Sequence, residues 1–122
     1  MCGFIGCISK EPISYSEYHK ANEHIVCRGP DKNIFYNNEN QKFNNNLNKY
    51  FHFEFNRLSI LDLSKGADQP MHSKISNNLL MFNGEIYNHL ELRKDLESVG
   101  VTFKTNHSDT EVILNGISNY GL

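Results

Sequence analysis

Cys2 is the residue of this chain best placed to be a nucleophile. A small residue after the initiator methionine permits removal of that methionine. Cysteine would then carry its thiol and a free α-amine on one residue. An α-amine, with an ordinary pKa of about 7.7–8.0, is a base of the right strength to take a thiol proton of ordinary pKa about 8.5, directly or through one water. That is the N-terminal-nucleophile arrangement, in which the amine replaces the histidine of a triad. The alternative is a buried structural cysteine that happens to stand second. Three further groups carry complementary chemistry. Asn83-Gly84-Glu85 follows an apolar stretch and offers a side-chain amide and a glycine N–H at a tight turn, the material of an oxyanion hole; an ordinary turn is the plain reading. Arg57, at the end of an aromatic stretch, could clamp a carboxylate bidentately or form a surface ion pair. Asp109, at the start of a helical pattern, could bind an ammonium group or simply complement a helix N-terminus. A nucleophile, an oxyanion donor pair, a carboxylate clamp and an ammonium acceptor together describe a site for a free α-amino acid with an amide side chain.

The elements that must position these groups follow from the pattern. Cys2 to Ile8 reads as a strand loosened by Gly3 and Gly6. Ser14-Tyr15-Ser16-Glu17 is a capping box that opens a helix from about Tyr15 to about Val26, closed by Gly29-Pro30. Asn33 to Tyr36 is a short strand, and the asparagine-rich stretch from Asn37 to Lys49 a flexible hairpin loop or insertion. Tyr50 to Phe55 alternates aromatic residues with His52 and Glu54, a strand with one aromatic face that runs on through Arg57 to Leu63. Lys65 to Pro70 is a polar loop. A strand from Leu79 to Phe82 ends at Asn83-Gly84. Asn88 with Glu91 starts a second helix, which Gly100 closes. Val101 to Phe103 is a short strand, and Ser108 to Glu111 a second capping box opening a third helix. Adjacent strands around the asparagine-rich segment favour an α+β domain with antiparallel pairing.

Gross properties exclude several classes. A chain of 122 residues is one domain at most. The formal net charge of −2, with scattered Lys and Arg, gives no reason to expect nucleic acid or an anionic membrane as partner. No apolar run can cross a bilayer. The cysteines Cys2, Cys7 and Cys27 are an odd count without a secretion signal, which points to free thiols and a cytoplasmic location. The six histidines are dispersed, and no spacing suggests a metal site.

Five ordered blocks carry a resemblance: Met1-Cys2-Gly3, Arg28-Gly29-Pro30-Asp31, Arg57-Leu58-Ser59-Ile60, Asn83-Gly84-Glu85-Ile86-Tyr87-Asn88, and Ser108-Asp109-Thr110-Glu111-Val112-Ile113. Together they resemble the class II glutamine amidotransferase domain of glutamine-hydrolysing asparagine synthetases. The resemblance implies an N-terminal nucleophile fold, an αββα sandwich of two antiparallel sheets between helical layers. It implies that Cys2 attacks the glutamine amide, that Asn83 and Gly84 hold the oxyanion, that Arg57 takes the α-carboxylate and Asp109 the α-amino group. Leu58, Ser59, Ile60 and Leu61 would line the glutamine pocket, and Glu85 would help anchor the substrate. The family usually has histidine where Cys27 stands. The family's domain continues past the position of Leu122, so the expectation is a partial amidotransferase domain over residues 1–122, cut short at its C-terminus. The same resemblance implies L-glutamine as substrate, a C-terminal synthetase domain as partner, a parent able to form a homodimer, and no cofactor in this segment. ATP and Mg2+ belong to the synthetase domain. Two other readings stay open on the sequence: a non-catalytic fragment, and the glutaminase module of an amidotransferase with another acceptor.

Overall fold

The structure, a computed structural model, describes residues 2–38, 49–59, 65–73 and 75–121. The chain divides into two compact units, Met1–Leu58 and Ser59–Leu122.

The first unit is a three-stranded antiparallel sheet with one helix. Strand β1 is Gly3–Ser9, β2 is Lys32–Asn37 and β3 is Tyr50–Arg57, in the order β1-β3-β2. Helix α1, Tyr15–Asn22, crosses from β1 toward β2. Gly3 pairs with Asn56 and Ile5 with Glu54 on one side; Asn33 pairs with Asn56 and Phe35 with Glu54 on the other. Opposed residues of antiparallel strands point to one face. One face therefore carries His52, Glu54 and Asn56, and the other carries Phe51, Phe53 and Phe55.

The polar face is the more deeply buried, which inverts what alternating aromatics suggest. His52, Glu54 and Asn56 are fully buried, while Phe51 and Phe53 are half-exposed. The reason is α1, which supplies the partners that buried polar groups need. Asn22 Nδ2 donates to Glu54 Oε1 at 2.9 Å and lies 3.3 Å from Asn56 Oδ1, to which Asn33 Nδ2 also donates at 2.9 Å. His19 Nδ1 meets Glu54 Oε1 at 2.8 Å. The Tyr18 hydroxyl donates to Ile5 O at 2.6 Å and lies 2.9 Å from His52 O. Burial, reinforced by the Glu54 carboxylate and then by Cys7, pushes the Tyr18 pKa above the ordinary phenolic value.

Helix α1 has the cap that the sequence predicts. Ser14 Oγ accepts from the Glu17 N–H, and Glu17 bonds back to the Ser14 hydroxyl rather than to its N–H. The helix stops at Asn22, short of the expected Val26. Ile25 leaves the helical region (φ −123°, ψ −1°), and Val26–Arg28 forms a separate 3-10 turn. The hairpin between β2 and β3 is closed by Asn38, whose side chain accepts from Phe51 N at 2.8 Å and donates to Lys49 O at 3.1 Å. The loop expected from Asn37 to Lys49 lies, over residues 39–48, outside the described residues.

The second unit holds a 3-10 turn (Lys65–Ala67), the two-stranded ribbon β4 (Met71–His72) and β5 (Leu79–Leu80), and helices α2 (His89–Ser98) and α3 (Asp109–Tyr120). β4 was not foreseen, and β5 is shorter than the expected Leu79 to Phe82, because the Phe82 N–H goes to the Gln69 side chain instead of a strand partner. The strand expected at Val101 to Phe103 is irregular backbone. There Arg93 stacks on the Phe103 ring at 4.1 Å and donates to Thr105 O at 2.7 Å, which shapes the segment without a ladder. Helix α2 lacks the expected side-chain cap from Asn88. Its other end matches: Val101 N bonds to Leu96 O and Gly100 N to Glu97 O, with Gly100 at φ +91°. This closure requires the left-handed conformation that glycine adopts freely. Strand β3 ends at Arg57; its expected extension to Leu63 falls mostly on residues 60–64, outside the described residues. No helix among the described residues is long and apolar enough to cross a membrane.

Candidate functional site

In the first unit the structure brings Cys2, Arg57 and Leu58 together. The Leu58 N–H donates to Cys2 Sγ at 3.3 Å, and Sγ lies 3.5 Å from Leu58 O. The thiol is half-buried and held against the backbone that follows Arg57. The register of β1 on β3 causes this: Gly3 opposes Asn56, so the residue before Gly3 arrives beside the residues after Asn56. Arg57 is 7% exposed, and the pleat sets it on the aromatic face with Phe55. Ser59 is half-buried. Ile60 and Leu61 lie outside the described residues.

Arg28, and Gly29 that the sequence reads only as a helix end, hold this end of the sheet. Arg28 Nε donates to Cys2 O at 3.4 Å. Gly29 packs on the β3 backbone so closely that an added Cβ would stand 2.0 Å from Asn56 O and 2.2 Å from its carbon. Only glycine fits. The Asp31 N–H then bonds to Arg57 O at 3.0 Å. The Arg28-Gly29-Pro30-Asp31 block is thus a clamp on the strand ends that present Cys2 and Arg57. Its neighbour Cys27 is exposed on the 3-10 turn.

In the second unit the structure brings Asn83, Gly84 and Glu85 together with Asp109. Asp109 is 7% exposed at the start of α3. Its Oδ2 accepts from Ile86 N at 3.1 Å and its Oδ1 from Thr110 N at 2.7 Å. The carboxylate therefore ties the turn to the helix and keeps lone pairs to spare. Asn83, Gly84 and Glu85 are exposed, and among the described residues neither the Asn83 side chain nor the Gly84 N–H has a hydrogen-bond partner. The Phe82 ring lies over Gly84, with an added Cβ only 2.6 Å from its Cζ.

The start of α3 is itself built by a network the sequence only half announced. Ser108 Oγ accepts from Glu111 N at 3.2 Å, as a cap should. Glu111 does not return the bond to Ser108. Its carboxylate accepts from Lys104 N at 2.8 Å, Thr105 N at 2.8 Å and Thr105 Oγ1 at 2.6 Å. The Ser108 N–H goes to Thr105 Oγ1 at 3.3 Å. The signal that could have found it is a glutamate buried to 5% exposure, which the sequence does not display.

The whole chain, residues 1–122, matches the family described as glutamine amidotransferase domain. The glutamine-hydrolysing asparagine synthetase 1 of Bacillus subtilis is 38% identical over 125 residues, covering 98% of this chain and 18% of that protein. The glutamine-hydrolysing asparagine synthetase 1 of Arabidopsis thaliana is 31% identical, covering 100% of this chain and 19% of its own length. The chain thus spans about a fifth of the length of these curated relatives. A family match over all 122 residues, together with such relatives, places this chain in the glutamine amidotransferase domain family.

Proposed function

We propose that this domain hydrolyses L-glutamine through a thioester on Cys2 and releases ammonia to a C-terminal synthetase domain that makes asparagine from aspartate with ATP. The observation that carries the reading is the seat of Cys2, its sulfur fixed by the Leu58 backbone beside the buried Arg57. With Met1 removed, the Cys2 α-amine takes the thiol proton as sulfur bonds to the glutamine amide carbon. The oxyanion that forms is held by Asn83 Nδ2 and the Gly84 N–H. The amine returns the proton to the leaving nitrogen, the C–N bond breaks and ammonia departs. Water then cleaves the thioester to glutamate. Arg57 pairs with the α-carboxylate. Asp109 takes the α-ammonium with the lone pairs its backbone donors leave. The family resemblance further assigns Glu85 and residues 58–61 to glutamine binding. ATP and Mg2+ belong to the synthetase domain, and no residue of this chain is assigned to them.

The sheet of the first unit suits one half of an αββα sandwich. Helix α1 covers its polar face, while Phe4 (44% exposed) and the half-exposed Phe51 and Phe53 leave the other face apolar and suited to pack on a second sheet.

The test uses the natural full-length protein. Cys2→Ala abolishes glutamate release and leaves asparagine formation from supplied ammonia intact, and intact-mass analysis of the active protein finds Met1 removed. Glutamate release by Cys2→Ala at the wild-type rate, or an active protein that retains Met1, overturns the mechanism.

A further inference from the structure

Gln69 sits in a stretch that reads from sequence as a polar loop, yet it is 7% exposed. Its Oε1 accepts from Phe82 N at 2.6 Å. Its Nε2 donates to Thr110 Oγ1 at 3.3 Å. Thr110 is 5% exposed, and its N–H and hydroxyl both reach Asp109 Oδ1, at 2.7 and 3.4 Å. Asp109 Oδ2 accepts from Ile86 N. A closed ring results: Phe82, Gln69, Thr110, Asp109 and Ile86, with Asn83-Gly84-Glu85 spanning the gap. Both flanks of the turn are tied to the start of one helix, one by a carboxylate and one by a buried amide.

We propose that Gln69 is a positioning residue for the oxyanion donors, acting through Phe82; this rests on the glutaminase reading above. The turn has no ladder of its own, since β5 ends at Leu80. Its backbone is fixed by the bonds at its flanks. Phe82 passes the constraint on twice, by its N–H to Gln69 and by its ring against Gly84. Oxyanion donors act only when held where the charge develops, so loosening them costs the transition state and not the bound substrate. The Gln69 amide also couples the turn to Asp109 through Thr110, so the turn and the ammonium-binding carboxylate share one frame.

The test compares Gln69→Leu, Thr110→Val and Thr110→Ser in the full-length protein. Gln69→Leu lowers kcat for glutamine hydrolysis about tenfold with KM within about twofold, because deleting one donor outright costs 10²–10³ and a displaced pair costs less. Inactivation by a diazoketone analogue of glutamine, whose carbonyl oxygen takes the oxyanion position, slows by a similar factor. Thr110→Val keeps the volume and leaves the Gln69 amide short of its acceptor; its kcat falls about threefold, and Thr110→Ser restores it. A merely structural role would reduce the fraction of labelled protein without slowing its labelling rate. Wild-type kcat in Gln69→Leu, or a loss traced wholly to a smaller active fraction, overturns the proposal and leaves the glutaminase reading standing. Absence of glutaminase activity in the wild type overturns both.

Discussion

Replacing Glu111 by glutamine tests whether the start of α3 rests on one buried carboxylate. Three donors converge on it: Lys104 N–H on one oxygen, and the Thr105 N–H and hydroxyl on the other. Glutamine keeps one oxygen. Its best orientation leaves that oxygen facing Thr105, with the amide nitrogen set against the Lys104 N–H. One charge-assisted bond is lost, at about 1.5–3 kcal/mol. The two that remain lose the charge that strengthened them, worth about 1 kcal/mol more. The negative charge in the first turn of α3 also disappears, adding about 0.3–1 kcal/mol. The sum is roughly 3–5 kcal/mol, against a typical total stability of about 5–15 kcal/mol. Urea titration followed by circular dichroism should show the midpoint fall by about 2 M at unchanged slope. The control is Glu97→Gln, which removes the solvent-exposed partner of Arg93 Nε and should cost under about 0.5 kcal/mol. A Glu111→Gln protein within about 1 kcal/mol of wild type would refute the reasoning, since the segment 104–108 would then hold its shape without the carboxylate.

Gly29→Ala should be strongly destabilising, by about 3 kcal/mol or more, because its Cβ would overlap the Asn56 carbonyl and force the clamp off β3; thermal denaturation reads the loss, and a fall in glutaminase activity should accompany it. Stability should also decline at high pH. The Tyr18 pKa is raised in the folded state, so its contribution is complete below the ordinary phenolic value of about 10 and is lost as pH rises beyond it, by about 1.4 kcal/mol per pH unit until the folded group titrates. Tyr18→Phe should remove Tyr18's share of that slope while costing about 1 kcal/mol at neutral pH for the hydroxyl bond lost from Ile5 O, as urea titrations at several pH values would show.

Local rules made much of the chain legible. Serine caps at Ser14 and Ser108 form as read, because a cap depends only on side chains three residues apart. Gly100 ends α2 for the same kind of local reason. The antiparallel hairpin of β2 and β3 followed from adjacent strand patterns. Where helix ends and strands rest on distant partners, the reading failed: α1 stops early, Val101 to Phe103 is irregular backbone, and β4 was missed. Two-residue strands carry no period to detect, and the alternative bond of the Phe82 N–H goes to Gln69, well back along the chain.

Cys2, Arg57, Asn83, Gly84 and Asp109 were named from residue type and order, because nucleophiles, donors and charge clamps are properties of side chains. The sequence by itself thereby determined the family and the chemistry that family suggests. Only the tertiary structure decided what supports them. The seat of the Cys2 sulfur on Leu58, the fit of Gly29 over Asn56, the burial of Glu54 and Glu111, and the Gln69 bridge to Thr110 all join positions far apart along the chain or hidden from solvent. Burial turns a polar side chain from a solvated group into one that must find partners, and the partners exist only once the strands and helices have packed.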